Sequence, residues 1–137
     1  MILIDTNIIL ELLLGQSRAD ECKELLDKAS KGEIEAIVTH FSIHAIEAVV
    51  NDSGLILNLL RNLENSLGLY LYGTSVDDEM AAAVLMTDVQ RDFDDSLQYY
   101  VAKKLGAKSV VSFDTHFGGL DIPRTVPKDV IGGGSVS

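Results

Sequence analysis

Short apolar runs alternate along this chain with longer stretches whose apolar residues recur at helical spacing. Residues 1–5 form the first run, which is apolar up to Asp5 and is typical of a strand covered on both faces of a parallel sheet. Similar runs predict strands at residues 35–40, 69–72 and 109–113, and a weak fifth at 125–126. Capping residues and terminal glycines predict helices between them, at about residues 7–15, 18–31, 43–51, 55–67, 76–90 and 93–105.

This alternation predicts an α/β fold. Strands that alternate with helices form parallel sheets joined by right-handed crossovers. No linker, repeat or shift in composition divides the sequence, so we expect one domain over residues 1–131. The glycine- and serine-rich end, residues 132–137, is predicted to be a flexible tail.

The predicted helix at residues 55–67 is unusually rich in leucine. Its apolar residues cover more than one helical face. Such a helix is either buried in the core or forms part of a subunit interface, and the pattern leaves both interpretations open.

Composition and net charge limit the kinds of partner that we expect for this chain. The 137 residues are 47% hydrophobic and carry a formal net charge of −10, so bulk positive charge does not hold this chain on nucleic acid. An acidic metal site, an acidic surface or a basic partner fits this charge better.

Cys22 is the single cysteine, and we expect a small core residue rather than a reactive thiol. No leader or membrane span is visible, which predicts a soluble, cytoplasmic protein.

Four acidic residues lie where a solvated carboxylate is unexpected. Asp5 and Asp114 each follow the last apolar residues of a predicted strand, and they would meet if those strands were neighbours. Glu47 lies inside an apolar helical stretch, and Asp95 lies at a helix start. Carboxylates that leave water need a cation, and a hard divalent metal would meet that need.

Each acid also has a structural explanation. Asp5 and Asp114 can cap a helix or form a turn, and Glu47 can sit at the rim of a buried face and reach water. Asp95 follows two other acids, Asp92 and Asp94, which the positive end of a helix favours regardless of function. Periodicity does not choose between Asp94 and Asp95.

The chain resembles the PIN-domain family of metal-dependent ribonucleases over nearly its whole length. Residues 2–7 (ILIDTN) are similar to the family's opening strand, and residues 110–117 (VVSFDTHF) to the strand that ends in its last acid. Glu47 resembles the helix acid after the second strand, and Asp95-Ser96-Leu97 resembles the third acid's helix, which favours Asp95 over Asp94. The resemblance implies a three-layer α/β/α fold with a central, mostly parallel sheet of four to five strands.

The resemblance also implies an activity, a site and partners. The activity is that of a divalent-metal-dependent endoribonuclease, with single-stranded RNA as substrate, although no residue pattern selects RNA over DNA. Oxygen-only ligands suit Mg²⁺ or Mn²⁺. The implied partners are a second copy, in a homodimer, and a small antitoxin-type protein, since family members of this size are often toxin subunits. The catalytic metal ligands would be Asp5, Glu47, Asp95 and Asp114, supported by Asn7, Ser112 and, with less weight, Thr6.

Other interpretations compete with a nuclease. A catalytically silent PIN-like module that binds RNA or protein is the main alternative. A haloacid-dehalogenase phosphatase would need a second acid where Asn7 stands, and a receiver domain would need an acid after residues 69–72. A zinc site of His40, His44 and Glu47 fails if His40 ends a strand, as the pattern predicts.

Overall fold

The fold is built around a five-stranded parallel sheet. The computed structural model describes residues 1–133, apart from the side chain of His116. The strands pair in the order β3-β2-β1-β4-β5, and each of these pairings is parallel. In chain order they are β1 (Ile2–Ile4), β2 (Ala36–Thr39), β3 (Leu69–Tyr72), β4 (Ser109–Val111) and β5 (Arg124–Thr125).

Helices cover both faces of this sheet. One layer holds α1 (Thr6–Leu13), α2 (Ala19–Ser30), α3 (His40–Val50), α4 (Ser53–Glu64) and α7 (Pro127–Gly133), and the other holds α5 (Val76–Val89) and α6 (Phe93–Leu105). A single 3₁₀ turn, Thr115–Phe117, lies between β4 and β5. The predicted three-layer α/β/α fold with four to five mainly parallel strands is therefore confirmed.

The central strand β1 shows how the layers are separated. Ile2 and Ile4 pack into the core on the side of α1, α2 and α3, whereas Leu3 packs into the core on the side of α5 and α6. Successive side chains of a strand point to opposite faces, so an apolar run such as Ile2–Ile4 serves two cores at once. Cys22 belongs to the first core, and burial raises the pKa of its thiol to about 12, which makes it an inert apolar residue.

Two predicted element boundaries are wrong. We expected β2 to include His40, with Ser42 capping the next helix, but His40 is the first residue of α3. The N-cap is Thr39, whose hydroxyl oxygen accepts a hydrogen bond from the Ser42 N–H. A β-branched residue that also caps helices suits both the end of a strand and the start of a helix, so the pattern could not separate them. The predicted start of the first helix at about residue 7 is also too late, since α1 begins at Thr6 and Asp5 is its N-cap.

The C-terminal helix α7 was not predicted. Pro127 occupies its first position, where the missing N–H of proline has no intrahelical partner to lose. The predicted flexible tail starts at residue 132, within this helix, and residues 134–137 lie outside the described range.

The leucine-rich helix α4 contributes little to the core. Leu59 is its one buried residue, whereas Leu57 and Leu60 are exposed. The core interpretation of this helix is therefore wrong for the chain taken alone, and its outer face remains available to another molecule. No helix within residues 1–133 is both long and apolar enough to cross a lipid bilayer.

Candidate functional site

The site lies at the carboxyl edge of the sheet, between β1 and β4. These strands are neighbours, with Ile4 beside Val111, so the residues that follow them emerge together. Strand order reverses at this point, since β2 and β3 lie on one side of β1 and β4 and β5 on the other. Crevices at such switch points are where open parallel sheets bind ligands.

Asp5 is the buried centre of this edge, with 4% of its surface exposed. Its Oδ1 accepts a hydrogen bond from the Thr6 backbone N–H at 2.8 Å. Its Oδ2 accepts from the Ser112 hydroxyl at 2.7 Å and from Asn7 Nδ2 at 3.1 Å. Three donors therefore fix the orientation of this carboxylate.

Ser112 connects Asp5 to Asp114. Its hydroxyl oxygen accepts hydrogen bonds from Asn7 Nδ2 at 3.0 Å and from the Asp114 N–H at 2.9 Å. Asn7 Oδ1 in turn accepts from the Phe113 N–H at 3.3 Å. The residues predicted to support the site thus contact its first acid, and the turn after β4 is tied to the start of α1.

The start of α6 brings further acids to the same place. Asp92 is the N-cap and accepts a hydrogen bond from the Asp95 N–H, as expected for a helix start. Asp95 is itself buried, and Asp94 is partly buried.

Burial and neighbouring charge disfavour ionisation in this group of carboxylates. Burial raises the pKa of Asp5 to about 6, assisted by the charges of Asp94 and Asp95 and opposed by the Ser112 hydrogen bond. The pKa of Asp94 is raised as well, first by burial and then by the charges of Asp92 and Asp114. Asp5 therefore lies within electrostatic range of Asp94 and Asp95, and Asp94 lies within electrostatic range of Asp114.

Glu47 pairs with a residue outside this group. It lies on α3, and its Oε1 pairs with His44 Nδ1 at 3.1 Å at a partly exposed position. The His40 and His44 rings stack with their centroids 4.9 Å apart, so both lie on one face of α3. The argument that His40 belongs to a strand, used above against a zinc site, is therefore wrong.

The carboxylates suit a hard divalent cation by chemistry and by charge. They offer only oxygen ligands, and their ionised forms destabilise one another in the absence of positive charge. As placed, the His, Cys, Asp and Glu side chains of the described part of the chain form no group of three or more that could hold a metal ion.

Sequence reasoning missed the polar interior beneath the site. Thr39, Ser42 and Gln98 are fully buried and hydrogen-bonded to one another. The signal for Gln98 was present in the sequence, because a glutamine stands between Leu97 and Tyr99 on the buried face of a helix. The sequence pattern predicts only a strand residue at Thr39 and only a helix cap at Ser42.

Two lysines of α6 are engaged in ion pairs. Lys103 pairs with Asp121 and Lys104 with Asp78, at 2.5 Å and 2.7 Å. Arg91 borders an open groove beside Asp95 that is also lined by Asp92 and Thr115. Its guanidinium donates to the Gly118 carbonyl at 2.9 Å and so links the start of α6 to the loop after β4.

The sequence matches the PIN domain family over residues 2–122. This match spans most of the chain, and with the parallel sheet and the acids at its carboxyl edge it shows that the chain belongs to the PIN-domain family. No curated protein matches the sequence.

Two solved structures share the fold. A chain of a toxin–antitoxin complex from Klebsiella pneumoniae aligns with a TM-score of 0.73 and 16% identity, covering 93% of this chain and 98% of that one. VapC20 from Mycobacterium tuberculosis, a sarcin-ricin loop cleaving toxin, aligns with a TM-score of 0.68 and 17% identity, covering 89% and 96%. At this level of identity the likeness establishes the fold.

Proposed function

We propose that this chain is a divalent-metal-dependent endoribonuclease that cleaves single-stranded RNA. The observation that carries the proposal is the buried Asp5 carboxylate, oriented by three donors and surrounded by further aspartates at the switch point of the sheet. Such a group is costly without a cation, so its presence favours a metal-assisted reaction over a purely structural role. Membership of the PIN-domain family and the likeness to VapC20 support the same class of reaction.

The chain's own residues would hold and orient the ligands. Asp5, Asp95 and Asp114 would bind Mg²⁺ or Mn²⁺, and Glu47 would join them after leaving His44. When bound, such an ion supplies Lewis-acid chemistry for phosphodiester hydrolysis. Ser112 and Asn7 hold Asp5 Oδ2 in one direction, while the Thr6 N–H holds Oδ1. Burial of Asp5 excludes bulk water from one side of the site.

The decisive experiment compares Asp5→Asn and Asp114→Asn with the unaltered chain. We expect each variant to lose Mn²⁺ binding, measured by calorimetry, and to lose cleavage of a single-stranded RNA, while circular dichroism shows a retained fold. Asp88→Asn, on α5 away from these contacts, is the matched control for loss of one negative charge. Undiminished cleavage by either site variant would contradict the proposal.

A catalytically silent member of the family is the second candidate. It is favoured by the absence, within residues 1–133, of a ready-made metal-holding group and by the contact of Glu47 with His44. Mn²⁺ titration separates the two functions. A folded chain that does not bind Mn²⁺ and does not cleave RNA, yet binds RNA or a protein, would support this candidate.

We also propose that the enzyme is a toxin subunit, held in check by a small antitoxin. Support comes from the Klebsiella pneumoniae toxin–antitoxin chain and from VapC20, which share the fold. A groove of about 410 Å³ lies between α1, α2 and α4, lined by Leu12, Leu13, Leu55, Leu59 and Leu63 among others. Its concave apolar walls suit an amphipathic helical segment of such a partner.

A homodimer is the assembly we propose for the enzyme. Val76, Met80 and Val84 recur at four-residue spacing on α5 and are 74%, 61% and 71% exposed. A straight apolar stripe of this kind can pair with its own copy about a two-fold axis, because the same patch serves both subunits. The groove on the opposite layer would then remain open to the antitoxin.

A further inference from the structure

Gln98 lies where α6 packs against the end of β2 and the start of α3. Its side chain is fully buried, and Nε2 lies within hydrogen-bond distance of three oxygens. These are Ser42 Oγ at 2.7 Å, Asp94 Oδ1 at 3.3 Å and Thr39 Oγ1 at 3.4 Å. An ionised carboxylate can only accept hydrogen bonds. The contact with Asp94 therefore indicates that the NH₂ end of the amide, and not its carbonyl oxygen, faces these three oxygens.

The carbonyl oxygen of the Gln98 amide does not contribute to the stability of the fold through a hydrogen bond. Gln98 Oε1 is buried and has no hydrogen-bond partner within the described part of the chain. An unpaired buried acceptor destabilises a fold, and an apolar side chain of similar size would avoid that loss. Stability alone therefore does not explain a glutamine at this position.

Two sets of contacts lead from Gln98 to the site. The first is direct, through Asp94, whose charge acts on Asp5 and is itself acted on by Asp114. The second passes through Ser42, whose hydroxyl oxygen accepts from Thr6 Oγ1 at 2.7 Å. Thr6 also provides the N–H that binds Asp5 Oδ1. Gln98 thus connects α6 with the residues that orient the central carboxylate.

We infer that Gln98 is a positioning residue that holds the Asp94 carboxylate at the site as a further oxygen ligand for the divalent ion. The inference rests on the proposed metal-dependent function. It assigns the two adjacent acids different supports: the N–H of Asp95 is fixed by Asp92, whereas the carboxylate of Asp94 is fixed by Gln98. Partners of ligating carboxylates of this kind are typically important for metal affinity.

The test uses Gln98→Met, with Ser96→Ala as its matched control. Both residues lie on α6, and each has a buried oxygen without a partner in the described chain. We expect both variants to unfold in urea at the same or a higher midpoint than the unaltered chain. Gln98→Met alone should weaken Mn²⁺ binding about tenfold, the usual lower range for such partners. Its RNA cleavage should be restored by raising the Mn²⁺ concentration, which a merely structural defect would not allow.

A second pair of variants examines Asp94 itself. Asp94→Asn should weaken Mn²⁺ binding by a similar factor, and adding Gln98→Met to it should cause a smaller loss than Gln98→Met causes alone. Asp92→Asn removes the same charge from the same helix start while preserving the N-cap, so it should bind Mn²⁺ normally.

The outcomes separate the inference from the function on which it rests. If the unaltered chain binds Mn²⁺ and cleaves RNA but Gln98→Met does both equally well, the inference is overturned and the proposed function stands. If the unaltered chain neither binds Mn²⁺ nor cleaves RNA, the proposed function fails and the inference fails with it.

Discussion

At the scale of single residues, the site depends on a hydroxyl group that bridges two strands. Ser112 donates to Asp5 and accepts from the N–H of Asp114, so one side chain joins the two acids that follow β1 and β4. The sequence predicted Ser112 as a supporting residue, and the hydrogen bonds give that role a physical basis. That it supports a metal ligand stays a prediction.

The raised pKa of Asp5 makes stability depend on pH. Its folded pKa of about 6 exceeds the ordinary 3.8, so the folded chain binds more protons than the unfolded chain between these values. This group's contribution to the free energy of unfolding therefore falls as pH rises through that window, by up to about 3 kcal/mol.

Asp5→Asn should remove this dependence. In metal-free buffer we expect the variant to become more stable than the unaltered chain as pH rises from about 4 to 7, by about 1–3 kcal/mol at pH 7, because the buried charge is gone. Urea unfolding at several pH values measures the difference. A constant difference across that range would show that Asp5 is not responsible, and Asp88→Asn provides the control for net charge.

At the scale of elements, most of the fold could be predicted from the sequence. Helix α5 was placed accurately because Ser75 and Asp78 form a capping box, and α6 because Asp92 and Gly106 mark its two ends. Such signals are local, so they can be read without knowing the fold. Thr39 and Pro127 misled the prediction, since each suits more than one local structure.

The site was less predictable because its contacts are long-range. That Asp5 and Asp114 lie near each other could be inferred only by assuming that β1 and β4 are adjacent strands. The structure shows that these strands pair. Nothing in the local sequence indicates that Gln98 meets Ser42, a residue 56 positions away. The contact of Glu47 with His44 was also not anticipated, because helical projection gives the side on which a residue lies and not the direction of its side chain.

The N-cap of α3 offers a test at this scale. Thr39→Val keeps the shape of the side chain but leaves the Ser42 N–H without its acceptor. We expect a loss of about 1–2 kcal/mol in the free energy of unfolding, measured by urea denaturation. Thr39→Ser retains the hydroxyl and should recover most of that loss. Equal stability of the two variants would indicate that the cap contributes little.

At the scale of the whole molecule, the exposed apolar surfaces are those that the proposed assembly would use. The stripe on α5 and the outer face of α4 lie on opposite layers of the fold, so a dimer through one leaves the other accessible. With a net charge of −10, two copies repel each other at long range, and added salt should favour their association.

Charge placed on the α5 stripe should therefore produce a monomer. Met80→Glu inserts an acid into the proposed dimer contact, and light scattering after size-exclusion chromatography would measure the mass. Leu67→Glu is the control, since Leu67 is 72% exposed after α4 and receives the same change of charge. If Leu67→Glu dissociated the dimer and Met80→Glu did not, the interface would instead lie on the layer that contains α4.

The strand order has a consequence for how the protein is made. Asp5 directly follows β1, which is made before the other strands of this sheet, yet β1 lies in the middle of the sheet and pairs with β4, which is made much later. A ribosome-bound chain whose residue 114 has not yet emerged contains only part of the acidic group. The proposed catalytic site would then be completed only late in translation.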